Sequence, residues 1–180
     1  MESRSDEELM ALFCAGNDQG FQALFERHAG KVRSFLTRMV KDEAQAEDLL
    51  QATFLSVIRS RGRFERGMKF VPWLLTIAAN AARDNLRHRK YVQAHVQAEQ
   101  AEPKESSSSA SGDPGLRRRL DEALQQLPVS QREAVVLHKV EGWNFDEISV
   151  ALGISPTAAR IRAHRGYERL RELLKDLQEA

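Results

Sequence analysis

The 180-residue sequence has one cysteine, five prolines and few aromatic residues. Cys14 alone cannot form an intramolecular disulfide, which is typical of a reducing cytoplasm, and we expect it to be a small core residue of the first helix. No stretch approaches the roughly 18 apolar residues that a membrane-spanning helix needs, and the acidic N-terminal segment is unlike a signal peptide. These absences exclude a disulfide-rich secreted scaffold and predict a cytoplasmic globular protein.

The formal net charge of +1 conceals a strong separation of charge along the chain. Residues 61–92 carry eight basic and two acidic side chains, and residues 154–171 carry five and one, whereas residues 1–30 carry two and six. Two separated basic segments predict a polyanionic ligand that is contacted at two places. Ordinary solvated helix faces are the alternative explanation.

Apolar spacing and helix-start signals predict an all-α protein. The stripe between Val32 and Val40 repeats at helical spacing, and Asp42 can cap the helix that follows it. A long helix is predicted from Trp73 towards Tyr91, and an amphipathic helix is predicted from Leu116 to Leu127. Three residue pairs have the spacing of capping boxes: Ser5 with Glu8, Ser130 with Glu133, and Asn144 with Glu147.

Residues 93–115 have the composition of a flexible linker. They include a run of four serines, 106–109, together with Pro103, Gly112, Pro114 and Gly115, which oppose regular helix. We therefore predict two small helical domains, residues 1–92 and residues 116–180, joined by this disordered linker.

Residues 144–170 have the pattern of a helix-turn-helix. A short helix over 145–152 is followed by Gly153 for the turn and by Ser155-Pro156, which is suited to capping a second helix. The second helix has an inward stripe of mostly small residues, Ala159, Ala163, Gly166 and Leu170. This stripe predicts close packing on a partner helix, with the opposite face free to enter a DNA major groove.

The outward face of the second helix and its flanks carry the candidate duplex-reading residues. Arginine pairs bidentately with guanine, and Ile161 suits a thymine methyl group. Arg162 and Arg169 lie towards the flank and suit phosphates. The candidates are Ser155, Thr157, Arg160, Ile161, Arg162, His164, Arg165 and Arg169.

The predicted long helix of the first domain has a polar face opposite its apolar one. Asn80, Arg83, Asp84, Arg87 and Lys90 share this face at 100° per residue. Basic residues near a helix C-terminus are also favoured by the helix dipole, so part of the bias needs no ligand.

The residues quoted so far carry a resemblance to a known family. Residues 46–55, AEDLLQATFL, are similar to the region-two signature of the extracytoplasmic-function sigma factors, and residues 70–80 with Asp84 and Arg87 are similar to their promoter-melting helix. Residues 127–133 and the helix-turn-helix resemble region four of that family. The resemblance covers most of the chain and its motifs occur in the family's order.

The resemblance implies a sigma factor that binds core RNA polymerase and promoter DNA and is held by an anti-sigma factor, which in this family is often membrane-anchored. It implies no cofactor, metal or small-molecule substrate. It assigns polymerase binding to Asp48, Gln51 and Leu55, while Phe54 is expected in the core. The helix-turn-helix would read the minus-thirty-five element. The candidates for recognising and opening the minus-ten element are Arg63, Phe64, Lys69, Asn80, Arg83, Asp84 and Arg87.

Two other classes of function are alternatives. A two-domain repressor or activator that binds duplex DNA alone would explain the helix-turn-helix, but it leaves the Asp48 signature and the basic face of the first domain without a role. An enzyme is disfavoured, because the sequence has no glycine-rich phosphate loop, no metal-ligand spacing and no nucleophile arrangement.

Overall fold

The computed structural model describes residues 4–65, 67–95 and 114–175, and every regular element in these ranges is helical. Within them no helix is both long enough and apolar enough to span a membrane. The eight α-helices are α1 (Asp6–Cys14), α2 (Asp18–Val40), α3 (Glu43–Ser60), α4 (Phe70–His95), α5 (Pro114–Gln126), α6 (Val129–Val135), α7 (Phe145–Leu152) and α8 (Pro156–Leu173). A short 3-10 helix, Arg61–Arg63, follows α3, and a π-helical segment, Val136–Val140, continues α6.

Helices α1, α3 and α4 pack around α2, whose predicted apolar stripe is buried. The capping box of α1 is formed: the Ser5 amide donates to Glu8 Oε2 at 2.7 Å, and the Glu8 amide donates to Ser5 Oγ at 3.2 Å. Asp42 caps α3 by accepting from the Gln45 amide. Because these signals are local, the sequence predicted the starts of both helices.

Helix α4 begins at Phe70, three residues earlier than predicted. The Phe70 amide donates to Glu7 Oε1 of α1 at 3.3 Å. A carboxylate far away in sequence therefore accepts from one of the first amide groups of α4, which have no partner within the helix. The linker prediction was also too wide: α4 continues through His95, and α5 begins at Pro114, since proline is tolerated in the first helical turn. The rest of the predicted linker, residues 96–113 with the serine run, Pro103 and Gly112, lies outside the described residues.

Helices α5 to α8 form the second domain, in which one predicted helix start was wrong. Ser130 and Glu133 make no capping box, because Pro128 takes the N-cap position and no side chain caps α6. The Pro128 carbonyl instead accepts from the first turn, and Glu133 pairs elsewhere. The predicted amphipathic helix is present as α5, and on it Leu116 and Leu120 are about half exposed.

Cys14 is not the core residue that was expected. It is the last residue of α1, it is exposed, and its Sγ donates to the Arg61 carbonyl at 3.3 Å. The buried residues of α1 are instead Leu9, Met10 and Phe13.

The small residue Gly166 sets the distance between α6 and α8. A Cβ atom placed on Gly166 would lie 2.5 Å from Val135 Cγ2, whereas one placed on Gly30 of α2 would have nothing within 4 Å. The close approach of α8 to α6 therefore depends on the absence of a side chain at position 166.

We predict opposite effects of alanine at these two glycines. Gly166→Ala should lower the free energy of unfolding of the second domain by about 1–3 kcal/mol through overpacking. The control Gly30→Ala should raise that of the first domain by roughly 0.5–1 kcal/mol through helix propensity. Urea unfolding followed by the fluorescence of Trp73 and Trp143, one in each domain, measures both. Equal effects of the two substitutions would contradict this packing.

Candidate nucleic-acid interface

Local signals shape the helix-turn-helix as the sequence predicted. Asn144 and Glu147 form a complete capping box at the start of α7, with both bonds 2.9 Å long. Gly153 ends α7 with φ of +63°, in the left-handed region that glycine adopts at little cost. Ser155 then caps α8 by accepting from the Ala158 amide at 3.2 Å, with Pro156 in the first turn.

The inward stripe of α8 is buried against α6 and α7, which leaves the opposite face free. Among the predicted duplex-reading residues, all but Arg162 are exposed: Ser155, Thr157, Arg160, Ile161, His164, Arg165 and Arg169. The Arg160 guanidinium lies 5.5 Å from the centre of the Phe145 ring, so a cation–π contact orients it. The face is therefore cationic, with Ile161 as its exposed apolar side chain.

Arg162 differs from its neighbours on α8. It is half-buried and lines a cleft of about 380 Å³ between the two domains, together with Arg87 and Lys90 of α4. The positive charge of Arg162 acts to lower the pKa of the Glu133 carboxyl of α6. In this conformation, Arg162 faces the first domain, and a phosphate contact would require the cleft to change.

The first domain presents a second basic surface, around the start and the outer face of α4. Phe64 is half-buried, with its ring 5.2 Å from Trp73 and 6.3 Å from Phe70. Arg63 and Lys69, which precede and follow it in the sequence, are exposed. Asn80, Asp84 and Arg87 are exposed further along the helix. The predicted minus-ten residues are thus exposed, except for Phe64 and Arg83, which are half-buried.

Arg83 is held between the two domains. Its Nε lies 2.7 Å from Glu133 Oε1, and its Nη2 donates to Asn80 Oδ1 at 2.8 Å. The Glu133 side chain is only 2% exposed. Burial raises the pKa of this carboxyl to about 7, although the charges of Arg83, Arg162 and Arg132 act in the opposite direction. The sequence could not show this pair, because its members are 50 residues apart.

A third surface lies on α3, where the sequence predicted polymerase contacts. Asp48, Gln51 and Leu55 are exposed, while Phe54 is buried as expected. Two apolar side chains extend this surface and were not predicted to do so: Ile58, one turn beyond Leu55, and Phe25 of α2, whose ring lies 4.8 Å from Phe54. Charged, amide and apolar groups on one exposed face are typical of a protein-binding surface.

The fold and these surfaces define a class of protein: an all-α, DNA-binding transcription factor with a helix-turn-helix unit and a second basic helical unit. Residues 24–91 match Sigma-70 region 2, and residues 117–170 match Sigma-70 region 4. The RNA polymerase sigma factor CarQ of Myxococcus xanthus is 60% identical over 169 residues, which cover 94% of this chain and 97% of that relative.

Two further relatives agree with this match. The ECF RNA polymerase sigma factor SigE of Mycolicibacterium smegmatis is 34% identical over 91% of this chain and 66% of that relative. The structure of the sigma factor RpoE in complex with the anti-sigma factor NepR, from Bartonella quintana, has a TM-score of 0.77 at 26% identity and covers 86% of this chain and 96% of that one. The chain belongs to the extracytoplasmic-function (ECF) subfamily of RNA polymerase sigma factors, which are transcription regulators rather than enzymes.

Proposed function

We propose that this chain binds core RNA polymerase and directs it to promoters that it contacts at two places. The observation that carries the proposal is the presence, on one chain of this family, of two exposed cationic surfaces in different domains together with a separate mixed surface on α3. One cationic surface suits duplex DNA and the other suits an opened strand. The surface on α3 would bind a protein partner.

The exposed face of α8 would read the minus-thirty-five element as duplex. Its helix fits the major groove, and Arg160 and Arg165 can reach the O6 and N7 atoms of guanine. Arg169, further along the helix, would bind a backbone phosphate and position the domain without specifying sequence. The cation–π contact with Phe145 reduces the number of orientations that Arg160 must lose on binding.

The surface around α4 would bind the minus-ten element while its strands open. A single strand needs cations for its phosphates and aromatic surface for its bases. Arg63 and Lys69 would supply the charge, and the Phe64–Trp73 ring pair would supply the aromatic surface. Asn80 and Arg87 add polar groups that could pair with an extruded base.

Asp48, Gln51 and Leu55 would bind core polymerase, with Ile58 and Phe25 as apolar neighbours. We further propose that the chain acts in the cytoplasm, where it meets polymerase, and that an anti-sigma factor restrains it, as the relative from Bartonella quintana is bound by NepR. The activity requires no catalytic group or cofactor of its own.

We predict that Asp48→Ala weakens binding to core polymerase. The exposed carboxylate would be lost from the interface, whereas Glu43→Ala, which removes an equally exposed carboxylate from the first turn of α3, should have little effect. Fluorescence anisotropy of the labelled full chain titrated with core polymerase measures both. The proposal fails if the wild-type chain does not bind core polymerase and instead selects promoter DNA tightly by itself. If Asp48→Ala binds polymerase like the wild type, our placement of the interface is wrong.

We predict that Arg165→Ala relaxes sequence preference at one base position of the upstream element. Loss of a bidentate contact should cost about 1–3 kcal/mol at that position. Arg171→Ala removes the same charge from an exposed position beyond the reading face and should weaken binding to all sequences only slightly. Competition binding of the polymerase complex to single-base promoter variants separates the two effects. An equal loss on every variant would make Arg165 a phosphate contact.

A further inference from the structure

The π-helical segment Val136–Val140 joins α6 to the helix-turn-helix. The Glu141 amide donates to the Val136 carbonyl, five residues back, at 3.1 Å. This turn therefore holds one residue more than an α-helical turn, which shifts its side chains from the positions that a regular helix would give them. Such segments are rare and occur frequently at functional sites. The side chain at the middle of this one is His138.

His138 is held by one hydrogen bond and two ring contacts. Its Nδ1 lies 2.7 Å from the Trp143 carbonyl oxygen, and because a carbonyl can only accept, Nδ1 is the donor. The imidazole is centred 4.5 Å from the Phe145 ring, at an interplanar angle of 35°. The Tyr167 ring of α8 is centred 6.3 Å from it. The imidazole thus lies between the end of α6 and both helices of the helix-turn-helix.

Phe145, the first residue of α7, in turn contacts Arg160 on the exposed face of α8. The guanidinium carbon lies 5.5 Å from the ring centre, within the range of a cation–π interaction. In the part of the chain that the structure describes, the Arg160 side chain makes no ion pair or hydrogen bond. Arg169 of the same helix differs, since it pairs with Glu172 at 3.0 Å. The orientation of Arg160 therefore depends on the position of the Phe145 ring.

The contacts form a row from His138 through Phe145 to Arg160. A ring that packs against a second ring has fewer accessible positions than a ring with water on both faces. His138 therefore limits where Phe145 lies, and Phe145 limits where the guanidinium lies. Bidentate pairing with guanine requires one orientation of that guanidinium. A side chain that already has this orientation loses less entropy on binding.

We infer that His138 is a positioning residue for the reading of the upstream element. It holds Phe145 against Arg160 and so sets how strongly Arg160 discriminates among bases. The inference rests on the proposed function, since that function brings α8 to duplex DNA. The alternative is a structural role, in which the hydrogen bond to Trp143 only closes the turn before α7 and affects binding to all sequences alike.

Two substitutions separate the ring of His138 from its hydrogen bond, and they are first compared in the free full chain. His138→Phe keeps a ring but has no donor, whereas His138→Asn keeps a donor but has no ring. Nitrogen-15 relaxation gives the order parameter of the Arg160 Nε–H bond. It should exceed that of Arg165, persist in His138→Phe, fall in His138→Asn and fall furthest in Phe145→Leu. Equal order parameters in all these chains would overturn the inference.

Base discrimination is then measured by competition binding of the polymerase complexes to single-base variants of the upstream element. Arg160→Ala identifies the position that Arg160 reads. At that position alone, His138→Asn and Phe145→Leu should reduce discrimination roughly two- to fivefold, as expected for a cation–π contact at an exposed site. His138→Phe should preserve it. Neither loss should add to that of Arg160→Ala, because the side chain through which both residues act is then absent.

Val140→Ala is the matched control, because Val140 is an exposed residue of the same π-helical segment but not part of this row of contacts. It should change neither measurement. The inference is overturned if His138→Asn discriminates like the wild type while His138→Phe does not. It is also overturned if the loss spreads equally over all base positions, or if Arg160→Ala relaxes none. If the wild-type complex has no sequence preference, the proposed function fails, and the order parameters still decide whether His138 positions Arg160.

Discussion

Helix α2 is the central helix of the first domain and also contacts the second domain. Its apolar stripe is buried among α1, α3 and α4, and its carboxyl end lies against α5 and α6 of the second domain. One helix therefore carries two different kinds of interaction. The first is burial of side chains such as Phe35 and Leu36, which holds the first domain together at roughly 25 cal/mol per Å² of apolar surface. The second is the satisfaction of terminal carbonyls, which side chains of the second domain provide here.

The difference between these two interactions explains what could be predicted from the sequence. Apolar periodicity and capping residues act over three or four positions, so the stripe of α2, the start of α7 at Asn144 and the turn at Gly153 were all predicted correctly. The exposed face of α8 followed from the same reasoning, because the buried stripe through Gly166 determines which side chains point outward.

Interactions between distant residues could not be predicted in this way. Glu133 has the spacing of a capping residue, yet it pairs with Arg83 of another helix. Arg83 and Arg162 look like ordinary members of basic faces, but the packing of the domains turns both towards a shared cleft. Cys14 fits an apolar pattern but is the last residue of α1, where the core no longer covers it.

The packing of the two domains affects the two basic surfaces differently. The outer face of α8 is exposed, whereas Arg83 of the first domain pairs with the buried Glu133. Polar contacts join the domains across α2, and the buried apolar residues of the two domains form one continuous cluster.

We propose that this chain binds a promoter at two places, and that it does so only in complex with core polymerase. Transcription from a randomised promoter library, with core polymerase and this protein, tests that claim most directly. The selected sequences should show two conserved blocks at a constant separation, and no selection should occur when core polymerase is left out. A single conserved block, or the same selection by the protein without polymerase, would contradict it.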